Sequence, residues 1–200
     1  VAAPGHNIIV ADYGQIELKV LAEVTQDRIM IDAFNSGIDL HTLTASLITQ
    51  KDIIAITKEE RLRAKAVNFG LSFGMGAETL RSYSRLNYGV SMTIEEAGAF
   101  KTRFLNGYPG LAYWHDEQRY ADVKEVRTLS GRRRLFADRA WFQALLNTPI
   151  QGGAADINKR ALGLLPQALK GTGAKIIGTI HDEILLEVPE ATTDQAARIL

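Results

Sequence analysis

"AKIIGTIHDEILLEV", residues 174–188, is made of two apolar runs that meet at His181-Asp182. Apolar runs of this length on either side of a short polar break read as two strands. "NIIVADY" (7–13), near the opposite end of the chain, is another apolar run that closes on an acid, Asp12, and it reads as a buried strand. If these terminal strands pair, everything between them becomes an insertion beside a mainly antiparallel sheet, an α+β layout.

The insertion is helical. "QIELKVLAEV" (15–24) has helical spacing, and after the break at "SGID" (36–39) Asp39 is placed to cap a helix over "LHTLTASLITQ" (40–50). Thr57 with Glu60 and Thr93 with Glu96 are capping boxes that open two further helices. "NGYPG" (106–110) ends the second of these, and another helix runs to about residue 124. "VRTLSGRRRLF" (126–136) reads as a hairpin about Ser130-Gly131, and "GGAADINKRALGLLPQALK" (152–170) as a helix despite Pro166.

The chain has 200 residues, 46% of them hydrophobic, enough for a substantial core in one domain or two subdomains. It has no apolar run long enough for a transmembrane span and no secretory leader pattern, so no membrane partner is expected. Without cysteine, disulfides and thiolate metal sites are excluded. Net charge is zero, but residues 58–139 carry 15 Lys and Arg against 10 Asp and Glu, a basic middle between mildly acidic ends. An anionic partner would meet that middle segment, although a solvated surface accounts equally for the count.

Within it, "TKEERLRAKAVNFGLSFGM" (57–75) places Arg61, Lys65, Phe69 and Phe73 four residues apart. Each step of four advances the helix by about 40°, so these residues form one stripe about 18 Å long, with Leu62, Ala66, Val67 and Leu71 on the docking face. Two cations followed by two rings match a nucleoside triphosphate: charged forks for the polyphosphate, aromatic faces for sugar and base. The same pattern is compatible with an amphipathic helix whose rings are core and whose cations are solvated. Asp12 and Asp182 bear on the choice. Taken singly they read as a loop cap and a turn residue. Held together at strand ends, two carboxylates suit a pair of Mg²⁺ ions about 4 Å apart and, with a phosphate-seeking helix, phosphoryl transfer.

"VADYGQIELK" (10–19), "RLRAKAVNFGLSFG" (61–74) and "IHDEILLEV" (180–188) resemble, in order, the three polymerase motifs of family A DNA polymerases, the bacterial DNA polymerase I family. "DLHTLTA" (39–45), "YPG" (108–110), "TLSGRRR" (128–134) and "NTPIQGGAADINKRA" (147–161) extend the likeness over nearly the whole chain. The resemblance implies a polymerase palm, a mainly antiparallel sheet with helices, with a helical fingers insertion: the right-hand architecture lacking the thumb. Residues 1–50 would be the first part of the palm, 51–125 the fingers and 126–200 the second part of the palm, with a thumb expected before residue 1 and a further palm strand after residue 200.

On this resemblance, Asp12, Asp182 and the Tyr13 carbonyl would hold two Mg²⁺ ions with Glu183 close by, for template-directed addition of dNTPs to a primer 3′-hydroxyl with release of pyrophosphate. Arg61, Lys65 and His41 would meet the triphosphate, with Lys65 as the acid that protonates the leaving pyrophosphate. Phe69 would pack on the sugar and Phe73 on the nascent base pair. Gln15 and Ile16 would complete the pocket, and Glu17 would occupy the space a ribose 2′-hydroxyl needs. Asn147, Gln151 and His181 would follow the minor groove, and Arg132, Arg133 and Arg134 the DNA phosphates. Primer-template DNA and dNTPs would be the partners of a non-oligomeric intracellular protein, in the cytoplasm or nucleoid of a bacterium or phage host, or in an organelle matrix.

Several positions depart from the family pattern. Phe73 stands where Tyr is usual, Phe69 in place of Tyr implies discrimination against dideoxynucleotides, Gln143 falls where Arg is frequent, and Gly14 and Lys19 replace Ser and Arg. None removes a metal ligand or a phosphate-binding cation. Two other readings stay open: a nucleic-acid-binding module without turnover, and an HD-type metal phosphohydrolase built on His181-Asp182, which needs further His and Asp ligands.

Overall fold

Pairing between the two ends of the chain organises the sheet. A computed structural model describes residues 1–200. Its first half contains β1 (His6–Asp12), α1 (Ile16–Thr25), α2 (Arg28–Asn35), α3 (Leu40–Thr49), α4 (Lys58–Ser72), α5 (Ala77–Tyr88) and α6 (Ile94–Gly107). Then come α7 (Pro109–Tyr120), β2 (Glu125–Arg127), β3 (Arg133–Leu135), α8 (Phe142–Ala168), β4 (Lys175–Ile180), β5 (Glu183–Pro189) and α9 (Thr193–Ile199). β5 lies between β1 and β4, antiparallel to both, and His6 pairs with Pro189 and Asp12 with Glu183. The α+β expectation holds. No helix is long and apolar enough to cross a membrane.

Residues 1–17 and 151–200 form one unit, and residues 18–150 form the other. The sheet unit buries Ile184, Leu186 and Val188 of β5 against Leu165 and Leu169 of α8 and Ala196 of α9. Strand alternation sends the other set of side chains to the opposite face. That face is not covered by helices of this unit, which corrects the expectation that β1 is a buried strand: Val10 is 54% exposed and Ile8 is also exposed. Pro166 sits inside α8 near its end without ending it.

In the helical unit, Leu18 and Leu21 of α1, Leu40 and Ile48 of α3, Val67 and Leu71 of α4, and Phe100 and Phe104 of α6 share one core with Leu146 and Ile150 of α8. Residues 18–50 and 126–150 therefore fall in one packing unit with residues 51–125, whereas the resemblance groups them with the palm. Packing into this shared core sets the two units, and their boundaries at residues 17/18 and 150/151 differ from the 1–50, 51–125 and 126–200 division that the resemblance implies. The capping expectations hold: Asp39 accepts from Thr42 N at 2.9 Å, and both capping boxes are formed.

Asp27 is fully buried and satisfies two helix starts at once. Its Oδ1 accepts from Ile29 N and Met30 N at the start of α2, and its Oδ2 from Gly110 N at 2.8 Å and Leu111 N at 3.2 Å at the start of α7. A carboxylate there complements the positive ends of both helices. The approach needs glycine, because a Cβ on Gly110 would stand 2.7 Å from Asp27 Cα. Asp27→Ala is expected to lower unfolding free energy by roughly 3 kcal/mol, a lost cap plus bonds to a charged group. Urea denaturation measures this, and a loss below about 1 kcal/mol would show that water replaces the carboxylate.

Candidate functional site

The sheet unit brings Asp12, Asp182 and Glu183 to one corner. Asp12 is the last residue of β1 and stands opposite Glu183, the first of β5; directly paired side chains project from the same face, here the open one. Asp182 occupies the two-residue turn between β4 and β5, where Ile180 pairs with Glu183. His181, beside it, adopts φ +55°, a left-handed conformation that costs a non-glycine residue about 1 kcal/mol or more.

Asn158 of α8 holds that turn. Its Nδ2 donates to the His181 carbonyl and to Thr179 Oγ1, each at 3.1 Å, and Thr179 Oγ1 donates to the Glu183 carbonyl at 2.8 Å. Neither Asn158 nor Thr179 was legible as a site residue, because the only sequence signal is a polar residue on an apolar helix face. After β1 the chain turns through Gly14 (φ +36°) and Gln15 (φ +59°) into α1. Tyr13 packs on the unit's core and Ile16 is buried. Glu17 is in the first turn of α1, and burial pushes its carboxyl above the usual range, with the Asp182 charge acting the same way and His181 opposing. Glu17 and Asp182 thus lie close enough for their charges to oppose one another.

This donor set is of the hard-oxygen kind that suits Mg²⁺, an ion that keeps waters and phosphate oxygens as further ligands. No group of three or more His, Asp and Glu side chains is arranged to hold a metal, so protein carboxylates alone do not complete a coordination sphere. The same finding removes the support an HD-type site would need. His41 and His115 are instead buried in the helical unit with protein partners, Asn68 and the Ser72 carbonyl.

In the helical unit α4 carries the stripe. Arg61 is exposed, while Lys65 and Phe69 are half-buried on its accessible face. Ala64, Ala66, Val67, Asn68 and Leu71 are buried, whereas Leu62, expected on the docking face, is 42% exposed. Phe73 lies just beyond the helix. Gly74 N donates to Leu71 O and Met75 N to Gly70 O, a Schellman motif that ends α4 with Gly74 at φ +77°. Glycine is required there for contact as well as for φ, since a Cβ would stand 2.6 Å from Phe142.

Arg61 is oriented by Asp39: its Nε and Nη2 donate to the two carboxylate oxygens at 2.8 and 2.9 Å. His41 is 3% exposed with its ring centroid 5.9 Å from that of Phe69. Thr44 Oγ1 donates to Asn68 Oδ1 at 2.9 Å, so the Asn68 amide nitrogen faces His41 Nδ1 at 2.9 Å and donates to it. The ring proton is then on Nε2. Burial lowers the pKa of His41 to about 4, with Asp39 opposing and Arg61 and Lys65 reinforcing, so His41 is a neutral donor at pH 7.

Arg132, Arg133 and Arg134 are exposed along the β2–β3 hairpin. Arg127 and Arg133 face each other across it and share Glu125, at 2.6 and 3.5 Å. Asn147 and Gln151 sit one turn apart on α8, the first half-buried and the second exposed, and His181 is exposed.

The carboxylates at paired strand ends belong to the sheet unit, and the cation-then-ring stripe belongs to the helical unit. The family described as DNA polymerase family A matches residues 1–200, and the chain belongs to that family. It is 40% identical over 205 residues to the DNA polymerase I of Aquifex aeolicus (strain VF5), covering 100% of this chain and 35% of that one. It is 36% identical over 210 residues to the thermostable DNA polymerase I of Thermus thermophilus, covering 100% of this chain and 24% of that one. Among solved structures, the POL domain of Pol1 from M. smegmatis, in complex with DNA primer-template and dNTP, superposes with a TM-score of 0.86 at 32% identity, covering 100% of this chain and 36% of that one. The chain thus spans about a third or less of the length of these relatives.

His41 predicts a pH dependence of stability. Its folded pKa lies below the unfolded value near 6.5, so the unfolded chain binds the extra proton and stability falls as pH drops from about 6.5 toward 4. The expected loss from this group between pH 7 and 5 is about 2 kcal/mol. His41→Gln should remove that share of the slope in urea unfolding, and an unchanged slope would assign the dependence to other groups.

Proposed function

We propose that this chain is the nucleotidyl-transfer part of a DNA-directed DNA polymerase, adding dNTPs to a primer 3′-hydroxyl on a template strand with release of pyrophosphate. The observation that carries the reading is the register of β1 on β5: it joins Asp12 to Glu183 and the adjacent Asp182, carboxylates that begin about 170 positions apart, at one sheet corner. The names of the relatives, and a neighbouring structure holding primer-template and dNTP, support the substrate class. In functional terms residues 1–50 and 126–200 serve as palm and residues 51–125 as fingers.

Asp12, Asp182 and the Tyr13 carbonyl would hold two Mg²⁺ ions, which when bound supply Lewis-acid activation of the primer hydroxyl and neutralise the triphosphate. Glu183, opposite Asp12, shares the corner. Arg61 presents a preset guanidinium to the β- and γ-phosphates, and Lys65 Nζ supplies charge there and a proton to the leaving pyrophosphate. His41 donates from Nε2 as a neutral group, so it adds a directed hydrogen bond without adding charge. Phe69 packs on the deoxyribose and Phe73 on the new base pair, with Gln15 and Ile16 completing the pocket.

Glu17 excludes a 2′-hydroxyl by filling its space; its partly desolvated carboxyl has little water to yield. Asn147, Gln151 and His181 reach minor-groove acceptors that every correct pair presents, and Arg132 and Arg133 meet phosphates. The protein works as a single copy inside the cell, where DNA and dNTPs are found, whether in the cytoplasm, the nucleoid or an organelle matrix.

Mg²⁺-dependent extension of a labelled primer-template is the test. Asp12→Asn and Asp182→Asn should each reduce extension at least about 10³-fold, roughly 4 kcal/mol of transition-state stabilisation. Glu17→Ala should raise ribonucleotide use about tenfold or more relative to deoxynucleotides. DNA binding without extension, in this chain and in a longer chain that contains it, would favour the module without turnover.

A further inference from the structure

We infer that Arg134, Phe136 and Trp141 form a stacking platform for unpaired nucleotides of single-stranded DNA, an inference that rests on the polymerase reading and extends it to the unpaired template strand. The Arg134 guanidinium carbon lies 5.0 Å from the centroid of Phe136 and 5.5 Å from that of Trp141, and the two rings meet edge to face at 5.2 Å. Arg134 Nη1 also donates to Thr148 Oγ1 at 3.3 Å, which fixes the cation over the rings. Trp141 is nonetheless 56% exposed, and Leu135, between Arg134 and Phe136 in sequence, is exposed as well. A large aromatic surface that is ordered by its neighbours and left open to water is a binding surface in waiting.

Charge selects the occupant. Residues 119–139 contain seven Lys and Arg against Asp122, Glu125 and Asp138, so the surface stays cationic although Glu125 pairs with Arg127 and Arg133 and Asp122 lies 3.8 Å from Arg139. Arg139 is held by the Ala121 carbonyl at 3.1 Å and the Arg119 carbonyl at 3.3 Å, so its position is set before any ligand arrives. Fixed cations around an aromatic and guanidinium surface fit a polyanion with flat faces. In a duplex those faces are already stacked on each other, so only an unpaired strand can use the platform.

Position agrees. Phe142, next to Trp141, packs beside Gly74, next to Phe73, so the platform adjoins the ring end of the α4 stripe within the same unit. An unpaired base beyond the nascent pair would stack there, and Trp141 would add affinity for a template overhang while contributing nothing to phosphate charge.

The test compares dissociation constants for a primer-template with a 5′ overhang and for the matching blunt duplex. Trp141→Ala should shrink the preference for the overhang at least about fivefold, and Trp141→Phe should keep most of it. A preference unchanged in Trp141→Ala, or a loss equal on both duplexes, overturns the platform. Fluorescence covers the case in which Trp141→Ala does not fold. Trp114 is buried, and in Trp114→Phe the remaining Trp141 emission should be quenched by a short oligothymidylate and not by blunt duplex. Emission untouched by the single strand, or quenched only by a protein partner, overturns the proposal. A chain that extends primers yet shows neither effect loses the platform alone; one that binds neither duplex nor single strand loses the polymerase reading with it.

Discussion

A buried chain of hydrogen bonds, from Tyr108 hydroxyl to Thr44 Oγ1 to Asn68 and on to His41, fixes α4, the helix that carries Arg61, Lys65 and Phe69. The Tyr108 to Thr44 distance is 2.7 Å, and Thr44 spends its one proton on Asn68, so Tyr108 must be the donor. Every member is buried, and burial raises the Tyr108 pKa well above its ordinary value, so the phenol stays protonated. In so dry a setting each bond is strong and each lost partner leaves an unsatisfied group worth about 1–3 kcal/mol. The chain joins α3, α4 and the start of α7, so α4 is set in rotation and depth, and the accessible face bearing Arg61, Lys65 and Phe69 follows from the buried position of Asn68.

The sheet unit solves a related problem with less covering. Its helices lie on one face only, so β1 cannot bury both rows of side chains, and the open face carries Ile8 and Val10 with Asp12 at the end of the same row. Openness leaves the carboxylate at the end of that row reachable from solvent, whereas the shape of the neighbouring turn is set from the covered side. There the Asn158 amide ties α8 to the β4–β5 turn and holds His181 in a strained conformation beside Asp182. Strain of this kind persists only where neighbours over-determine it.

Local rules were legible in the residues and long-range ones only partly. Asp39, Thr57 with Glu60, and Thr93 with Glu96 announced helix starts, because a cap is a contact between residues three apart. Pairing of the terminal strands could be inferred from their apolar runs. The reach of α4 was overstated by one residue because the four-residue spacing of the stripe runs on through Phe73, while the stop signal is the single Gly74. Leu62 was misplaced because its apolar character outweighed a helix face that Asn68, a polar residue, actually buries. Asn158 and Asn68 escaped notice because they act on backbone or side chains distant in sequence, and the same holds for the half of Asp27's role that reaches Gly110 and Leu111.

On the proposed reading, the Arg61–Asp39 pair orients a phosphate-binding side chain without making it rigid. Asp39 Oδ2 already serves Thr42 N and Thr42 Oγ1 at the start of α3, so the carboxylate is anchored before Arg61 arrives. The fork then engages it through Nε and Nη2, which leaves the Nη1 side of the guanidinium for a ligand. Both partners are partly exposed, and a pair of that kind is worth about 1 kcal/mol or less, so it orients Arg61 far more than it stabilises the fold. A triphosphate meeting this side chain would not bear the full cost of ordering it, and could still draw it away from Asp39 because so little is lost. His41 beside it is kept neutral by burial, so under the proposed function a polyanion would meet a weakly held cation and one fixed dipole rather than a third charge.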